Sequence, residues 1–303
     1  LYTDETGGLY PSIAGSLPAD FADRTFSEGS SANIAGGTVH EALIATQQAF
    51  RAKSPELALT KADKELLEVQ QFLQAPVQQG FKEIVQYCTD SLGIRSRKEA
   101  VRTEINRHIE ASPKDDFLMM SVGCGTAQPM LEVMRDVREK GRNAKLILID
   151  QDPVALAAAQ AHAVEMGLED AIEIHCAKLF VQNGSRPKMM DLQTVLKGRK
   201  IDVGEDSGLR EYFPADMYRD LTSQVWSALE DDGLMTTGNM NRNRPQAHFL
   251  HGLMGWPIKV QLRGVHEIAR LHEQAGIPQE AMRLRLTQDG VYTLCFSSKQ
   301  PIQ

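Results

Sequence analysis

The stretch FLMMSVGCGTA at residues 117–127 decides how the rest of the chain is interpreted. Its first part, residues 117–122, is a short apolar run of the length of a buried strand, and a helical pattern begins at Ala127. Between them, Gly123 and Gly125 let backbone N–H groups at a helix N-terminus approach an anionic or strongly polar ligand. A tight strand-to-helix turn without a ligand has the same pattern, so the motif requires support from elsewhere in the chain.

Downstream of Pro113, short apolar runs alternate with helical segments. This alternation predicts βαβ units, and therefore an α/β fold with a mostly parallel sheet. The predicted strands cover 117–122, 146–150, 172–176, 200–203 and 234–239, and the predicted helices cover 127–139, 153–166, 214–230 and 264–275. Two last apolar runs flank Asp289-Gly290, which predicts a hairpin that places an antiparallel strand at the end of the sheet.

A carboxylate follows the second predicted strand. Asp150 ends this strand, where an acid can accept hydrogen bonds from ribose hydroxyls. Asp152 competes for the role, but its position before Pro153 favours a helix N-cap. The glycine loop and Asp150 together predict a ribose-containing ligand at one edge of the sheet.

Composition narrows the possible partners and the location. The 303 residues carry a net charge of −7, which argues against a protein whose main task is to bind nucleic acid. No apolar run reaches the roughly 18 residues of a membrane span, and the first residues lack the pattern of a signal peptide. The four cysteines form no CxxC pair, so neither a disulfide framework nor a structural zinc site is indicated. We expect a cytoplasmic protein with a small-molecule substrate, either a monomer or a homodimer.

The N-terminal part of the chain has a different character. Residues 1–37 are rich in Gly, Ser, Ala and Pro and predict a loop-rich leader. Residues 38–112 show helical patterns, with capping boxes at 38–41 (TVHE) and 96–99 (SRKE) that would each begin a helix. We therefore expect a leader, an N-terminal helical cap and an α/β domain over 113–303.

The α/β part resembles the class I S-adenosylmethionine (SAM) dependent methyltransferases. Their glycine-rich loop is similar to residues 121–127, and their ribose-binding acid is similar to Asp150. A reversed last strand, as the terminal hairpin predicts here, is characteristic of that family. The resemblance implies a Rossmann-like sheet and SAM as cofactor. No metal is expected, because no third Cys, His or acid stands at a metal-ligand spacing from His248 and His251. The chain departs from the family pattern at Ser121, where an acid often stands, and at Ala127, where a third glycine is usual.

A narrower similarity covers residues 117–278. Residues 202–213 (DVGEDSGLREYF) resemble a D-x-I-x-x-x-G-L-x-x-Y-L segment of bacterial enzymes that methyl-esterify 3-hydroxy fatty acids for quorum signalling. Glu205 and Asp206 stand where that group usually has aromatic or small residues. Further similar positions are Gly238, Asn239, Trp256 and Arg263. This resemblance implies methyl transfer to a small molecule and adds Tyr212 to the candidate site residues.

The remaining candidate residues follow from their expected positions at the carboxyl edge of the sheet. Carboxylates at 205 and 206 could hold the ammonium group of SAM or of a substrate, and a solvated acidic loop is the alternative. The segment 176–180 could line the adenine or simply pack in the core. The predicted cofactor residues are Ser121, Gly123, Cys124, Gly125, Asp150, Gln151, Ala177, Lys178, Phe180, Asp206 and Ser207, and the predicted catalytic residues are Glu205, Asp206, Tyr212 and His248.

The connection over residues 239–263 concentrates cationic side chains. Arg242, Arg244 and Arg263 could clamp a substrate carboxylate, because the planar guanidinium pairs with it bidentately. His248 and His251 could share a helix face, and His248 is a candidate general base. One surface histidine and one packed histidine would be the ordinary alternative.

The function predicted from the sequence is SAM-dependent methylation of a small, carboxylate-bearing metabolite. A first alternative is a cyclase in which the amine of SAM attacks its own γ-carbon, as in azetidine-2-carboxylate synthases, and releases methylthioadenosine. A second alternative is a protein that binds SAM without turnover. Because the sulfonium already activates the methyl group, few catalytic residues are needed, and the sequence therefore indicates the cofactor more clearly than the acceptor.

Overall fold

The computed structural model describes residues 89–183, 186–245 and 260–300. The chain divides into two compact units, of which one combines residues 96–245 with 259–303 and the other combines 1–95 with 246–258. The first unit is described here. Several predictions concern residues that the structure does not describe, and they remain predictions. These are the leader, most of the helical cap and the candidate residues His248, His251 and Trp256.

The described residues contain nine strands and six helices of four or more residues. The strands are β1 (Asp116–Val122), β2 (Asn143–Asp150), β3 (Ile172–Cys176), β4 (Phe180–Asn183), β5 (Arg186–Met189), β6 (Ile201–Asp206), β7 (Leu229–Met240), β8 (Met282–Leu286) and β9 (Tyr292–Ser298). The helices are α1 (Thr89–Ala111), α2 (Gln128–Glu139), α3 (Pro153–Glu165), α4 (Gln193–Leu196), α5 (Ala215–Ala228) and α6 (Val265–Gln274).

Seven strands form one sheet in the order β3-β2-β1-β6-β7-β9-β8. The first five strands in this order run parallel, and β9 is antiparallel to both of its neighbours, β7 and β8. All six residues of β6 are buried, as expected for a central parallel strand that is covered on both faces. The predicted mostly parallel sheet with a reversed last strand is therefore confirmed.

Local sequence explains how the strands pass into their helices. The carboxylate of Asp152 accepts a hydrogen bond from the backbone N–H of Val154, and Pro153 occupies the first turn of α3, so the predicted N-cap is observed. Pro129 has the equivalent place in the first turn of α2. One apolar cluster joins the sheet to α5 through residues that include Met120, Ile147, Leu221 and Val225.

Three sequence predictions differ from the structure. The antiparallel strand β9 does not end the sheet, because β8 pairs outside it and forms the edge. Helix α1 begins at Thr89 and passes through residues 96–99, so this capping pattern does not mark a helix start. The hairpin of β4 and β5 was not predicted, because its strands of four residues are too short to show a periodicity.

Helix α1 is attached to the sheet domain from residue 96 onward. Arg102 donates two hydrogen bonds to the carboxylate of Asp136 in α2, over 2.7 and 2.8 Å. Ser96 donates a hydrogen bond to Asp289 in the turn between β8 and β9. These contacts bring the first turns of this segment, with Arg97, to the carboxyl edge of the sheet. No helix among the described residues is both long and apolar enough to cross a membrane.

The close approach of β7 to the turn after β6 depends on Gly238. A Cβ atom at this position would collide with the carbonyl oxygen of Ser207, which is backbone and cannot turn away. We therefore predict that Gly238→Ala lowers the free energy of unfolding by about 2 kcal/mol, as measured by urea denaturation.

The matched control is Gly264→Ala, since a Cβ atom at Gly264 would have no neighbour within 4 Å. An equal loss of stability in the two variants would contradict the explanation by close packing.

Candidate cofactor and substrate site

The glycine-rich loop connects β1 to α2 in a strained conformation. Gly123, Gly125 and Ala127 all have left-handed backbone angles, with φ of 64°, 54° and 55°. The backbone N–H groups of Gly123 and Cys124 both donate to the carbonyl of Ile149 in β2, over 2.7 and 3.2 Å. At Gly123, a Cβ atom would also lie 2.8 Å from Leu209. Glycine is therefore required at this position by both backbone conformation and space.

Asp150 fixes the conformation of this loop. One carboxylate oxygen accepts the N–H of Gly125 over 2.8 Å, and the other accepts the N–H of Asp152 over 3.0 Å. The residue is half-buried at the carboxyl end of β2, and burial raises the pKa of its carboxyl group above the usual value. A carboxylate can accept about four hydrogen bonds, so Asp150 retains capacity for a further donor. Asp150 and Gly125 are thus brought together, as the sequence predicts.

Glu205 crosslinks the carboxyl ends of β1 and β6. Its Oε2 accepts the hydroxyl of Ser121 over 2.5 Å, which is its register partner across the parallel pair. Its Oε1 accepts the backbone N–H of Ser207 over 2.7 Å and the hydroxyl of the same residue. Glu205 is 7% exposed, so this turn is a buried structure and not a solvated acidic loop. An acid is therefore present beside the glycine loop, although it comes from β6 and not from β1.

Asp206 has a different environment from its neighbour. Both of its oxygens accept hydrogen bonds from the guanidinium of Arg210, and the two side chains are fully buried. Arg210 also donates to the carbonyl of Tyr218 and to the hydroxyl of Thr222. This placement counts against the predicted cofactor and catalytic roles of Asp206, since its carboxylate is committed to an internal ion pair.

The predicted adenine-lining segment lies between β3 and β4. Cys176 and Lys178 are exposed, while Ala177 is half-buried and donates its N–H to the carbonyl of Asp150 over 2.8 Å. The ring of Phe180 contacts that of Phe213 edge to face, with centroids 4.8 Å apart. Gln151 is exposed and directly follows Asp150. The backbone link holds the segment beside Asp150, and Phe180 makes a packing contact of its own.

Two residues of the predicted arginine clamp, Arg242 and Arg263, have partners within the protein. Arg263 is buried and donates to the carbonyls of Arg210 and Phe213 and to the side-chain oxygen of Asn239. Arg242 forms an ion pair with Glu267 over 2.6 Å. Their guanidinium groups pair within the protein, which removes the main sequence argument for a substrate carboxylate.

Two side chains that the sequence did not predict, Glu211 and Arg97, lie next to the turn that follows β6. Glu211 is 2% exposed and directly follows Arg210, and its carboxylate lies 3.9 Å from the guanidinium of Arg97. The same guanidinium stacks on the ring of Tyr292, 4.5 Å from its centroid. Tyr212, the predicted catalytic residue, is half-buried. A glutamate and an arginine far apart in polar stretches give no signal in the sequence, so only the fold identifies this cluster.

The described residues contain no group of three or more His, Cys, Asp or Glu side chains able to hold a metal ion. His272 is buried, and its Nε2 lies 3.0 Å from the hydroxyl of Tyr218. Burial lowers the pKa of His272 well below its usual value. It is therefore neutral and belongs to the packing of α5 and α6 against the sheet.

The strand order and the reversed β9 form a mostly parallel, Rossmann-like sheet. Solved structures with this fold include a possible exported protein from Bordetella parapertussis, at 18% identity over 96% of each chain with a TM-score of 0.58. An O-methyltransferase family protein from Burkholderia thailandensis is 14% identical over 93% of this chain and 76% of its own, with a TM-score of 0.53.

A third structure is the magnesium protoporphyrin IX methyltransferase of Synechocystis PCC 6803 with bound S-adenosylhomocysteine. It is 13% identical over 77% of this chain and 99% of its own, with a TM-score of 0.50. No protein-family model and no curated protein matches the sequence. At these identities the likeness concerns the fold.

The ion pair of Asp206 and Arg210 generates a stability prediction. Asp206→Ala leaves the guanidinium of Arg210 buried without its counter-charge, so we expect a loss of about 3–5 kcal/mol in the free energy of unfolding. The measurement is urea denaturation followed by circular dichroism.

Asp170→Ala is the control, because its ion pair with Arg138 is exposed and should contribute less than about 1 kcal/mol. A loss below 1 kcal/mol for Asp206→Ala would show that Asp206 does not have this structural role.

Proposed function

We propose that this protein is a SAM-dependent methyltransferase that acts on a small molecule. The observation that carries the proposal is the hydrogen bond between the left-handed glycine loop and the carboxylate of Asp150. Both lie at the carboxyl edge of a sheet with the class I methyltransferase fold. Ligands bind at this edge of open α/β sheets, outside the carboxyl ends of the strands. The Synechocystis enzyme of the same fold holds S-adenosylhomocysteine, which is what SAM becomes after methyl transfer.

The residues present fit the polar groups of SAM. Asp150 retains capacity for a ribose hydroxyl, and the segment at Ala177 is tied beside it, where the adenine would lie. Glu205 supplies a buried negative charge next to the loop, suited to the ammonium of the methionine part. When bound, SAM supplies a methyl group that is already activated by the sulfonium, so the protein contributes chiefly binding, orientation and exclusion of water.

The proposed substrate is a small metabolite, in a monomeric or homodimeric protein of the cytoplasm that has no nucleic-acid or membrane partner. The net charge of −7 supports the small-molecule part of this proposal. The argument for a carboxylate on the substrate is weaker in the structure than in the sequence. Two of the arginines that could bind it, Arg242 and Arg263, already pair within the protein. Arg97 remains as a cation at this edge, with its side chain 18% exposed.

Binding of the cofactor can be tested by substituting two neighbouring aspartates, Asp150 and Asp152. Asp150→Ala should raise the dissociation constant of SAM by about 10- to 100-fold, because charged hydrogen bonds to the ribose and the anchor of Gly125 are lost together. The measurement is isothermal titration calorimetry with SAM and with S-adenosylhomocysteine.

Asp152→Ala is the matched control, since this carboxylate caps α3 and should affect stability by about 1 kcal/mol while SAM affinity stays unchanged. Equal losses of affinity in the two variants would refute the assignment of the ribose to Asp150. Wild-type protein that does not bind SAM would refute the proposed function.

Incubation with SAM alone, followed by mass spectrometry, separates the alternatives. A methyltransferase should release no methylthioadenosine and should form S-adenosylhomocysteine only after an acceptor is added. Methylthioadenosine without an acceptor would identify the cyclase reaction and contradict the proposal, and tight binding with no product under any condition would identify a regulator. The structural comparisons provide methyltransferases as neighbours and give no support to the cyclase.

A further inference from the structure

The buried carboxyl group of Glu211 has one oxygen, Oε2, that no described residue pairs with. Its Oε2 has no hydrogen-bond partner among the described residues, although the side chain is only 2% exposed. Leaving a buried acceptor of this kind unpaired costs about 1–3 kcal/mol, and more when the group is charged. A fold that keeps such a group in place usually does so for a functional reason, because a glutamine or an apolar residue would be more stable there.

The surroundings of Glu211 place it at the catalytic edge of the sheet. It lies in the turn that follows β6, five residues after Asp206, the last residue of that strand, and its backbone carbonyl accepts the N–H of Gln261 over 2.5 Å. The guanidinium of Arg97 lies against Gly208, where a Cβ atom would come within 2.9 Å of it. Arg97 therefore joins the turn at Gly208 to Glu211.

The charges around Glu211 come from several elements. Arg97 of α1 and a hydrogen bond with Tyr292 of β9 lower the pKa of its carboxyl group, and Asp206 of β6 raises it. Arg263, which precedes α6, is the other cation that interacts with it. Burial outweighs these effects and raises the pKa to about 7. A carboxyl group that changes its protonation near neutral pH is matched to proton transfer.

We propose that Glu211 is the general base for the methyl acceptor, and that the acceptor presents a hydroxyl group to its free oxygen. This inference rests on the proposed methyltransferase function. The hydroxyl donates its hydrogen bond to Oε2 of Glu211, which takes the proton as the acceptor oxygen forms a bond to the methyl carbon. The bond from that carbon to sulfur breaks, and its electron pair stays on sulfur as the neutral thioether. Arg97 is a positioning residue, which holds the carboxylate beside the turn.

The first test needs no acceptor and compares the melting temperatures of wild-type protein and Glu211→Gln from pH 5 to pH 8.5. Folding raises the pKa of the Glu211 carboxyl group. Its contribution to the stability of the wild type is therefore present at low pH and is lost as the pH rises towards and through 7. The glutamine cannot ionise, so its melting temperature should exceed that of the wild type at pH 8.5, with a much smaller difference at pH 5. A lower melting temperature for Glu211→Gln at pH 8.5 would overturn the proposal, since a carboxylate with a purely structural role stabilises the fold.

The second test measures methyl transfer to 3,4-dihydroxybenzoate and 3-hydroxybutyrate, with 3,4-dimethoxybenzoate as the probe that has a carboxylate but no hydroxyl. Wild-type protein should methylate a hydroxyl oxygen of at least one hydroxylated probe, with a rate that rises through an apparent pKa of about 7. Glu211→Gln should lower kcat by about 100-fold or more while the affinity for SAM stays within twofold of the wild type. Glu211→Asp should recover part of this rate.

The control is Asp216→Asn, an exposed acid in the first turn of α5, which should behave as the wild type. Wild-type protein that binds SAM yet methylates neither hydroxylated probe would overturn the proposed acceptor class and leave the proposed function standing. A kcat for Glu211→Gln within threefold of the wild type would overturn the role of Glu211. Absence of SAM binding by the wild type would instead refute the proposed function itself.

Discussion

The buried ion pair between Asp206 and Arg210 holds the turn on which both parts of the candidate site depend. Both side chains are fully buried. The guanidinium also donates hydrogen bonds to Tyr218 and Thr222, which connect the turn to α5. Burying two charges offers little net stability by itself, but removing either charge leaves the other unpaired at high cost. The pair therefore anchors the turn to β6, next to Glu205, whose carboxylate accepts hydrogen bonds from Ser207 in the same turn.

Three acids within seven residues of this turn have three different environments. Asp206 is paired with Arg210, and Glu205 accepts hydrogen bonds from Ser121 and Ser207 beside the glycine loop. Glu211 retains a free oxygen, and burial dominates its pKa. The same chemical group can thus act as a structural anchor, a candidate ammonium ligand and a candidate base. Their surroundings, and not their residue type, determine the role of each.

The glycine loop carries backbone strain at Ala127. Ala127 adopts a left-handed backbone conformation at the N-cap of α2, where the class I pattern usually has glycine, and this conformation costs an L-residue about 1–2 kcal/mol. The loop is nevertheless held, because Asp150 and the carbonyl of Ile149 accept its N–H groups. A rigid loop of this kind is already arranged for a ligand before the ligand binds.

The sheet could be predicted from the sequence because its signals are local. Apolar runs, the Asp-Gly turn and the N-cap at Asp152 depend on neighbouring residues, and they gave β1, β2, β3 and the pair of β8 with β9. Asp150 could be placed beside Gly125 for a related reason, since consecutive parallel strands end at the same edge of a sheet. The short strands β4 and β5 could not, because four residues show no periodicity.

By itself, the sequence determined the α/β class, the reversed final strand and the glycine loop with its acid, all of which arise from local patterns and chain order. Only the tertiary structure decided how the charged groups are paired. The fold paired Asp206 with Arg210 and Arg263 with Asn239, and it brought Arg97 next to Glu211, although more than a hundred residues separate Arg97 and Glu211 in the chain. Burial and pairing are properties of the folded chain, so the spacing of charged residues along the sequence does not contain them.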